Sequence, residues 1–179
     1  MTRARTFLVI AAVVLSLAGC AAPHETATLS VGGSDFGGCL PAGDPSVGYI
    51  AVPLENTGPD PIVLSGVSIN SVMGAQLVGS WILPLAEDGP ASDGEAYFGP
   101  TAPADSRAWQ NRESLLGATI PAGDKAMLAL ELTNPSESDQ AAVDGATLYY
   151  TGSRGGSLLA KSGFYFGFSP IDGGCFAPK

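Results

Sequence analysis

The chain is short of the side chains that most enzymes use to move protons or hold metals. Its 179 residues include one histidine, three cysteines and three methionines, one of them Met1. The histidine, His24, stands in a small, polar stretch near the N-terminus, where a solvated side chain is the ordinary outcome. A hydrolase triad needs a base to take its nucleophile's proton, and the body of the chain offers no histidine for that role. Zinc and copper sites draw on clusters of His, Cys or Met, which are also missing. Basic residues are few, 8 Lys and Arg against 17 Asp and Glu. Such a balance argues against nucleic acid, whose phosphates need Lys and Arg, and against docking onto anionic lipid headgroups. The N-terminal apolar run falls short of the ~20 residues of a membrane-spanning helix.

Glycine and proline are plentiful, 24 and 14 residues. They separate short apolar runs, which argues against a helical bundle. There is no internal repeat of useful length.

Residues 1–19 have the three parts of a secretory signal. Arg3 and Arg5 make a positive start, residues 7–17 are apolar, and Ala18 and Gly19 supply small residues at a cleavage site. The arginines are not adjacent, which favours the general secretion route over the twin-arginine one. Leu17-Ala18-Gly19-Cys20 then resembles the lipobox of bacterial lipoproteins. That resemblance implies a diacylglycerol on the Cys20 thiol, cleavage before Cys20, and often a further acyl chain, such as palmitate, on the new amine. Two or three chains make a firm anchor where one does not, each buried methylene contributing about 0.8 kcal/mol. The alternative is an ordinary cleaved signal followed by a chance cysteine. Removal of Arg3 and Arg5 leaves 6 basic against 17 acidic residues, a net charge of −11. That charge favours solubility and keeps the domain off the membrane to which it is tied. The expected location is the extracytoplasmic face of the cell membrane.

The expected organisation is a signal peptide over 1–19, a lipidated Cys20 and flexible tether over 20–38, and one domain over 39–179. The tether has room for one short strand at 28–31. Cys39 and Cys175 stand near the two ends of the domain, in an oxidising compartment, and are expected to form a disulfide. On the chain-entropy account, so long a loop is worth up to about 5 kcal/mol. Two free thiols are the alternative. A metal on this pair lacks further ligands nearby.

Alternation of apolar and polar residues places the strands. Residues 47–54 put Ile50, Val52 and Leu54 on one face and Tyr49 and Ala51 on the other. Residues 56–61 are a turn. Residues 62–69 form a second strand whose apolar phase slips at Ser65-Gly66, the mark of a β-bulge. Residues 76–85 form a third, with Leu77, Gly79, Trp81, Leu83 and Leu85 sharing a face and Pro84 suggesting an edge or exit. Residues 120–124 read as a type I turn. It leads into a strand over 125–133, where Met127, Ala129 and Glu131 alternate with Ala126, Leu128, Leu130 and Leu132. Strands over 146–151, 157–161 and 164–168 complete a set of about seven. Helix is confined to a single turn within 106–116 or 136–142. Phe164, Phe166 and Phe168 share one face, as core or as a stripe for a sugar or peptide. Trp81 and Trp109 are expected in the core, with exposure of Trp109 beside Gln110, Asn111 and Arg112 as the alternative.

The whole is expected to be all-β, a sandwich of two antiparallel sheets. From 62 to 168 the chain resembles the immunoglobulin-like β-sandwiches of exported actinobacterial proteins. The likeness rests on Asn56-Thr57-Gly58 before a strand, Trp81 within one, residues 117–123 ahead of Leu128-Ala129-Leu130, and residues 143–150 as a penultimate strand. The resemblance implies a sandwich and no activity. The antibody pattern of two inter-sheet cysteines around a tryptophan is absent, and Cys39 and Cys175 are read as lying outside the strands.

Residues 87–107 read as one long acidic loop, and loops of that length are often functional. Asp88, Asp93 and Glu95 are hard oxygen donors that suit Ca²⁺, although the spacing of an EF-hand is not met and a solvated loop explains them equally well. No cofactor is expected. Three functions are weighed. The first is a binding or accessory module for another envelope protein or a polysaccharide. The second is a structural, envelope-maintenance lipoprotein without a specific ligand. The third is a glycan hydrolase working with paired carboxylates.

Overall fold

The computed structural model describes residues 28–32, 37–41, 47–85, 97–136 and 139–169. Within them the alternating runs form strands β1 (Leu29–Val31), β2 (Gly37–Pro41), β3 (Val47–Asn56), β4 (Ile62–Ser71), β5 (Gln76–Pro84) and β6 (Tyr97–Gly99). A single helical turn, α1 (Arg107–Gln110), follows, then β7 (Glu113–Ser114), β8 (Thr119–Ile120), β9 (Lys125–Thr133), β10 (Ala141–Thr151) and β11 (Ser157–Ser169). One sheet has the order β1-β3-β9-β5-β7, with β6 also paired to β3, and the other has the order β2-β11-β10-β4-β8. The protein is an immunoglobulin-like β-sandwich.

Its core lies between the sheets. Ile50, Val52 and Leu54 of β3 and Leu128, Leu130 and Leu132 of β9 meet Leu64, Leu148, Tyr150, Phe164 and Phe166 from the other sheet. All are essentially inaccessible to solvent, so each side chain supplies the full ~1.5–3 kcal/mol of apolar transfer. Tyr150 also carries a polar tip. Its hydroxyl accepts the Thr28 amide at 3.1 Å, which ties the entering chain to the opposite sheet. Phe164, Phe166 and Phe168 are all buried, so they are core and not a binding stripe.

Each side of the sandwich is bridged by a segment that changes sheets. On one side, β1 pairs with β3 (Leu29 opposite Asn56) and β2 then runs parallel to β11 (Cys39 opposite Gly167). On the other, residues 113–120 act as a strap. β7 pairs with β5 at Trp81 and Ile82, and β8 pairs with β4 at Ile62 and Val63. Between them Leu115 and Ala118 are buried in the core.

Several expectations are corrected. The tether does not extend to residue 38, because Leu29–Val31 and Gly37–Pro41 are strands of the sandwich; of the expected tether only the short strand near 28–31 survives in this region. Cys39 lies within the strand set, on β2, and is disulfide-bonded; Cys175, like Cys20 and His24, lies outside the described residues. The strand count exceeds seven because short strands of two to five residues, too short for alternation to register, complete the sheets. Residues 157–161 and 164–168 are one strand, β11. Residues 141–142 open β10 and are not helical, whereas the turn expected within 106–116 is α1.

The bulge expected at Ser65 is present, since Tyr149 faces Gly66 and Tyr150 faces Leu64, leaving Ser65 over. A second bulge was not legible. Leu132 faces Leu77 and Glu131 faces Gly79, so Val78 is the extra residue. It puts Leu77 against the inner core and Trp81 and Leu83 on the outer face, breaking the common face read for β5. The turn at 120–124 closes one residue later than a type I reading places it. The Asp124 amide donates to Pro121, and Gly123, third in the turn, has φ of +75°. A positive φ there belongs to type II.

Candidate functional site

The long acidic segment is not one loop. It leaves β5 after Pro84, returns as β6 along β3, and then crosses the outer face of the first sheet as far as Arg112. Asp88, Asp93 and Glu95 lie outside the described residues. What the structure shows is the base on which that segment is mounted.

The base is a grid of three rows across β3, β9 and β5. Tyr49, Glu131 and Gly79 form one row, Ala51, Ala129 and Trp81 the next, and Pro53, Met127 and Leu83 the third. The small residues matter. Ala51 and Ala129 leave a flat floor, and a methyl group on Gly79 would collide with the Trp81 ring that lies over it. Onto this floor α1 delivers Trp109. Ser106 caps the turn, its Oγ accepting the Trp109 amide at 3.1 Å. Trp109 is buried, with Ala108, Ala51, Ala129, Met127 and Leu83, in a second hydrophobic cluster outside the main core.

The rings meet edge to face, as their quadrupoles favour. Trp109 stands 5.6 Å from Tyr49 at 88° and 5.3 Å from Trp81 at 64°. Arg112 closes the top. Its guanidinium lies 4.7 Å from the Trp109 centroid and 5.8 Å from that of Trp81. Its Nη1 also donates to the Trp109 carbonyl at 2.9 Å. Glu131 stands beside Tyr49 in register. Burial, the Glu131 charge and its hydrogen bond from the phenol hold Tyr49 above the ordinary 10.0, while Arg112 pulls the other way.

Trp81 and Trp109 are therefore packed, as expected, but around a satellite cluster and not in the main core. Tyr49, Arg112 and Glu131 are members that sequence reasoning did not assemble. Part of the signal was present, since Tyr49 and Ala51 were assigned to the face opposite Ile50. The rest depends on how β3, β9 and β5 line up. Chemically the cluster is satisfied from within: its rings pack on one another and the cation over them is its own Arg112. Among the described residues, no three His, Cys, Asp or Glu side chains come together to hold a metal. No helix there is long and apolar enough to cross a membrane.

No family model matches the chain, and no curated protein matches it. Among solved structures it is similar to the ASH/PapD-like domain of human CEP192 (PapD-like domain 7), with 10% identity and a TM-score of 0.42, over 82% of this chain and 87% of that one. It is similar to the YadV chaperone with 11% identity and a TM-score of 0.41, over 82% of this chain and 53% of that one. It is also similar to the Vibrio cholerae VesB protease with 10% identity and a TM-score of 0.39, over 79% of this chain and 32% of that one.

Proposed function

We propose that the protein is a lipid-anchored lipoprotein of the extracytoplasmic membrane face, acting as a binding or accessory module for another envelope component. The observation that carries the reading is the mounting of residues 86–96. They are strung between β5 and β6, and the chain that follows is clamped to the sheet by Trp109 and Arg112. Connecting segments held by a rigid scaffold are the usual arrangement of a recognition surface. The lipobox at 17–20 supports the anchor. Only seven residues separate Cys20 from the first described residue, Thr28; even fully extended they span roughly 25 Å, so the domain would work close to the membrane.

The test is cross-linking in intact cells, followed by isolation of the full-length protein from membranes. One partner in near-equal amount is expected, and lost in the triple variant Asp88→Asn, Asp93→Asn, Glu95→Gln. Absence of any partner at every cross-linker length would overturn the protein-binding form of the reading. Binding to isolated cell-wall polysaccharide would then support the glycan form. Failure there too would leave the envelope-maintenance role. Separately, Cys20→Ser should release the protein from the membrane fraction and abolish acyl labelling; retention of both would remove the anchor from the proposal.

A further inference from the structure

We infer that two copies of this chain pair edge to edge through β4, in antiparallel register about Ser68. The inference is independent of the anchored-module reading.

Strand β4 is only half covered. The strap pairs with Ile62 and Val63 through β8, and residues 117–118 exchange backbone hydrogen bonds with Leu64. Past the bulge at Ser65, no strand among the described residues pairs with the outer edge of residues 66–71. Natural sheets guard such edges with charges, prolines or a covering element. Here none of the first two is present. Residues 61–86 contain no Asp, Glu, Lys or Arg, the longest uncharged stretch in the chain, and residues 66–71 contain no proline. Just past this edge, in the chain that leaves β4, Val72 is 57% exposed and Met73 is exposed as well.

The missing charge points to a second copy as the occupant. In an isologous pair, residues near the two-fold axis face their own counterparts, so any charge there would oppose itself. In a chain of net charge −9, an uncharged strand edge avoids this repulsion.

The register follows from the pleat. A two-fold axis perpendicular to the sheet keeps outer faces together, so residues of like facing must stand opposite. Val67 and Ile69 pack against the inner core. Ser68 faces outward, its Oγ 3.3 Å from the Tyr149 hydroxyl. Centring the axis on Ser68 sets Val67 against Ile69 on the inner face, Ser68 against itself on the outer face, and Gly66 against Asn70. Centring it on Ile69 would set Val67 against Ser71, an apolar residue against a polar one.

Opposite residues in an antiparallel pair have Cα atoms roughly 4.5–5.5 Å apart, within the span of a disulfide. Full-length protein carrying Ser68→Cys, mildly oxidised in cells, should give a covalent dimer on a non-reducing gel. Its rate should exceed that of the exposed-turn control Ser153→Cys by at least about tenfold, and the parent protein should give none. A rate no greater than the control's would overturn the pairing. In sedimentation, the purified full-length parent should be dimeric, Ser68→Lys and Ser68→Glu each monomeric, and their mixture dimeric again. A parent that is monomeric at its highest soluble concentration would overturn the proposal. So would a mixture that fails to re-form dimers while both variants unfold at the parent's temperature. A different protein recovered on the β4 edge in place of a second copy would overturn it as well.

Discussion

The guanidinium of Arg112 lies 4.7 Å over the ring of Trp109, three residues before it, and also bonds the Trp109 backbone carbonyl. The two residues close one turn of chain upon itself and press it onto the outer face of the first sheet. Trp109→Ala should cost about 3–5 kcal/mol, as for a buried aromatic. Arg112→Ala should cost only about 0.5–1 kcal/mol, the range of an exposed cation–π contact. Urea unfolding of the two variants and the double variant checks both values. Equal losses for the two single variants would show that the arginine holds the segment as strongly as the ring does.

Asn56 is fully buried at the end of β3. Its Nδ2 sits among three carbonyls, those of Asp60 at 2.8 Å, Ile120 at 3.1 Å and Pro121 at 3.0 Å, while its Oδ1 accepts the Gly58 amide. Asn56→Asp keeps the shape and replaces the donor with an acceptor facing three acceptors. A loss of about 3 kcal/mol or more is expected, against less than half of that if water enters and bridges the site.

Gly145 carries the irregularity between β10 and β11. Its φ is +84°, and a Cβ there would collide with the Ser162 carbonyl oxygen. Gly145→Ala combines a left-handed backbone, itself about 1–2 kcal/mol, with a backbone clash that no rotamer relieves. Thermal unfolding should show a larger loss than Gly155→Ala, where φ is also positive but the surrounding space is open. Similar losses for the two would mean that the hairpin shifts to accommodate the methyl.

Two phenols should titrate late. Tyr49 lies above the usual value through burial and Glu131, and Tyr165 through burial and Asp144. A raised pKa in the folded state means that the neutral form is favoured there. The associated stability is intact below pH 10 and is lost as pH rises through the folded values. Tyrosinate absorbance against pH should show this late phase, and Tyr49→Phe should remove part of it. Glu131→Gln should move Tyr49 back toward its ordinary value; no movement would assign the shift to burial alone.

Cys175 is proposed as the partner of Cys39. The last described residue of β11, Ser169, stands opposite Pro41, two positions from Cys39. The six steps from there to Cys175 reach at most about 20 Å. Peptide mapping without reductant should recover this pair, and its reduction should cost about 2–5 kcal/mol. Recovery of Cys39 with Cys20 would exclude both the pairing and the acylation of Cys20.

Much of this molecule was legible as a sequence. Every strand of nine residues or more was announced at least in part, because a pleat with one buried face imposes a period of two, although β11 was split in two and the start of β10 was missed. The faces of β3 and β9 and the bulge at Ser65 were readable for the same reason. So was the acidic balance, which is a property of composition. Other features belong to pairing alone. β6, β7 and β8 are two or three residues long and exist only because a neighbouring edge offers them hydrogen bonds. The bulge at Val78 reverses the face of Leu77 without leaving a composition signal. The cluster of Tyr49, Trp81, Trp109, Arg112 and Glu131 gathers residues from positions 49 to 131, and only the register of β3, β9 and β5 makes them neighbours. The open edge of β4 is likewise a fact of topology. The strap that follows α1 reaches Leu64 and stops, and nothing local to residues 66–71 records that no strand among the described residues pairs with their outer edge.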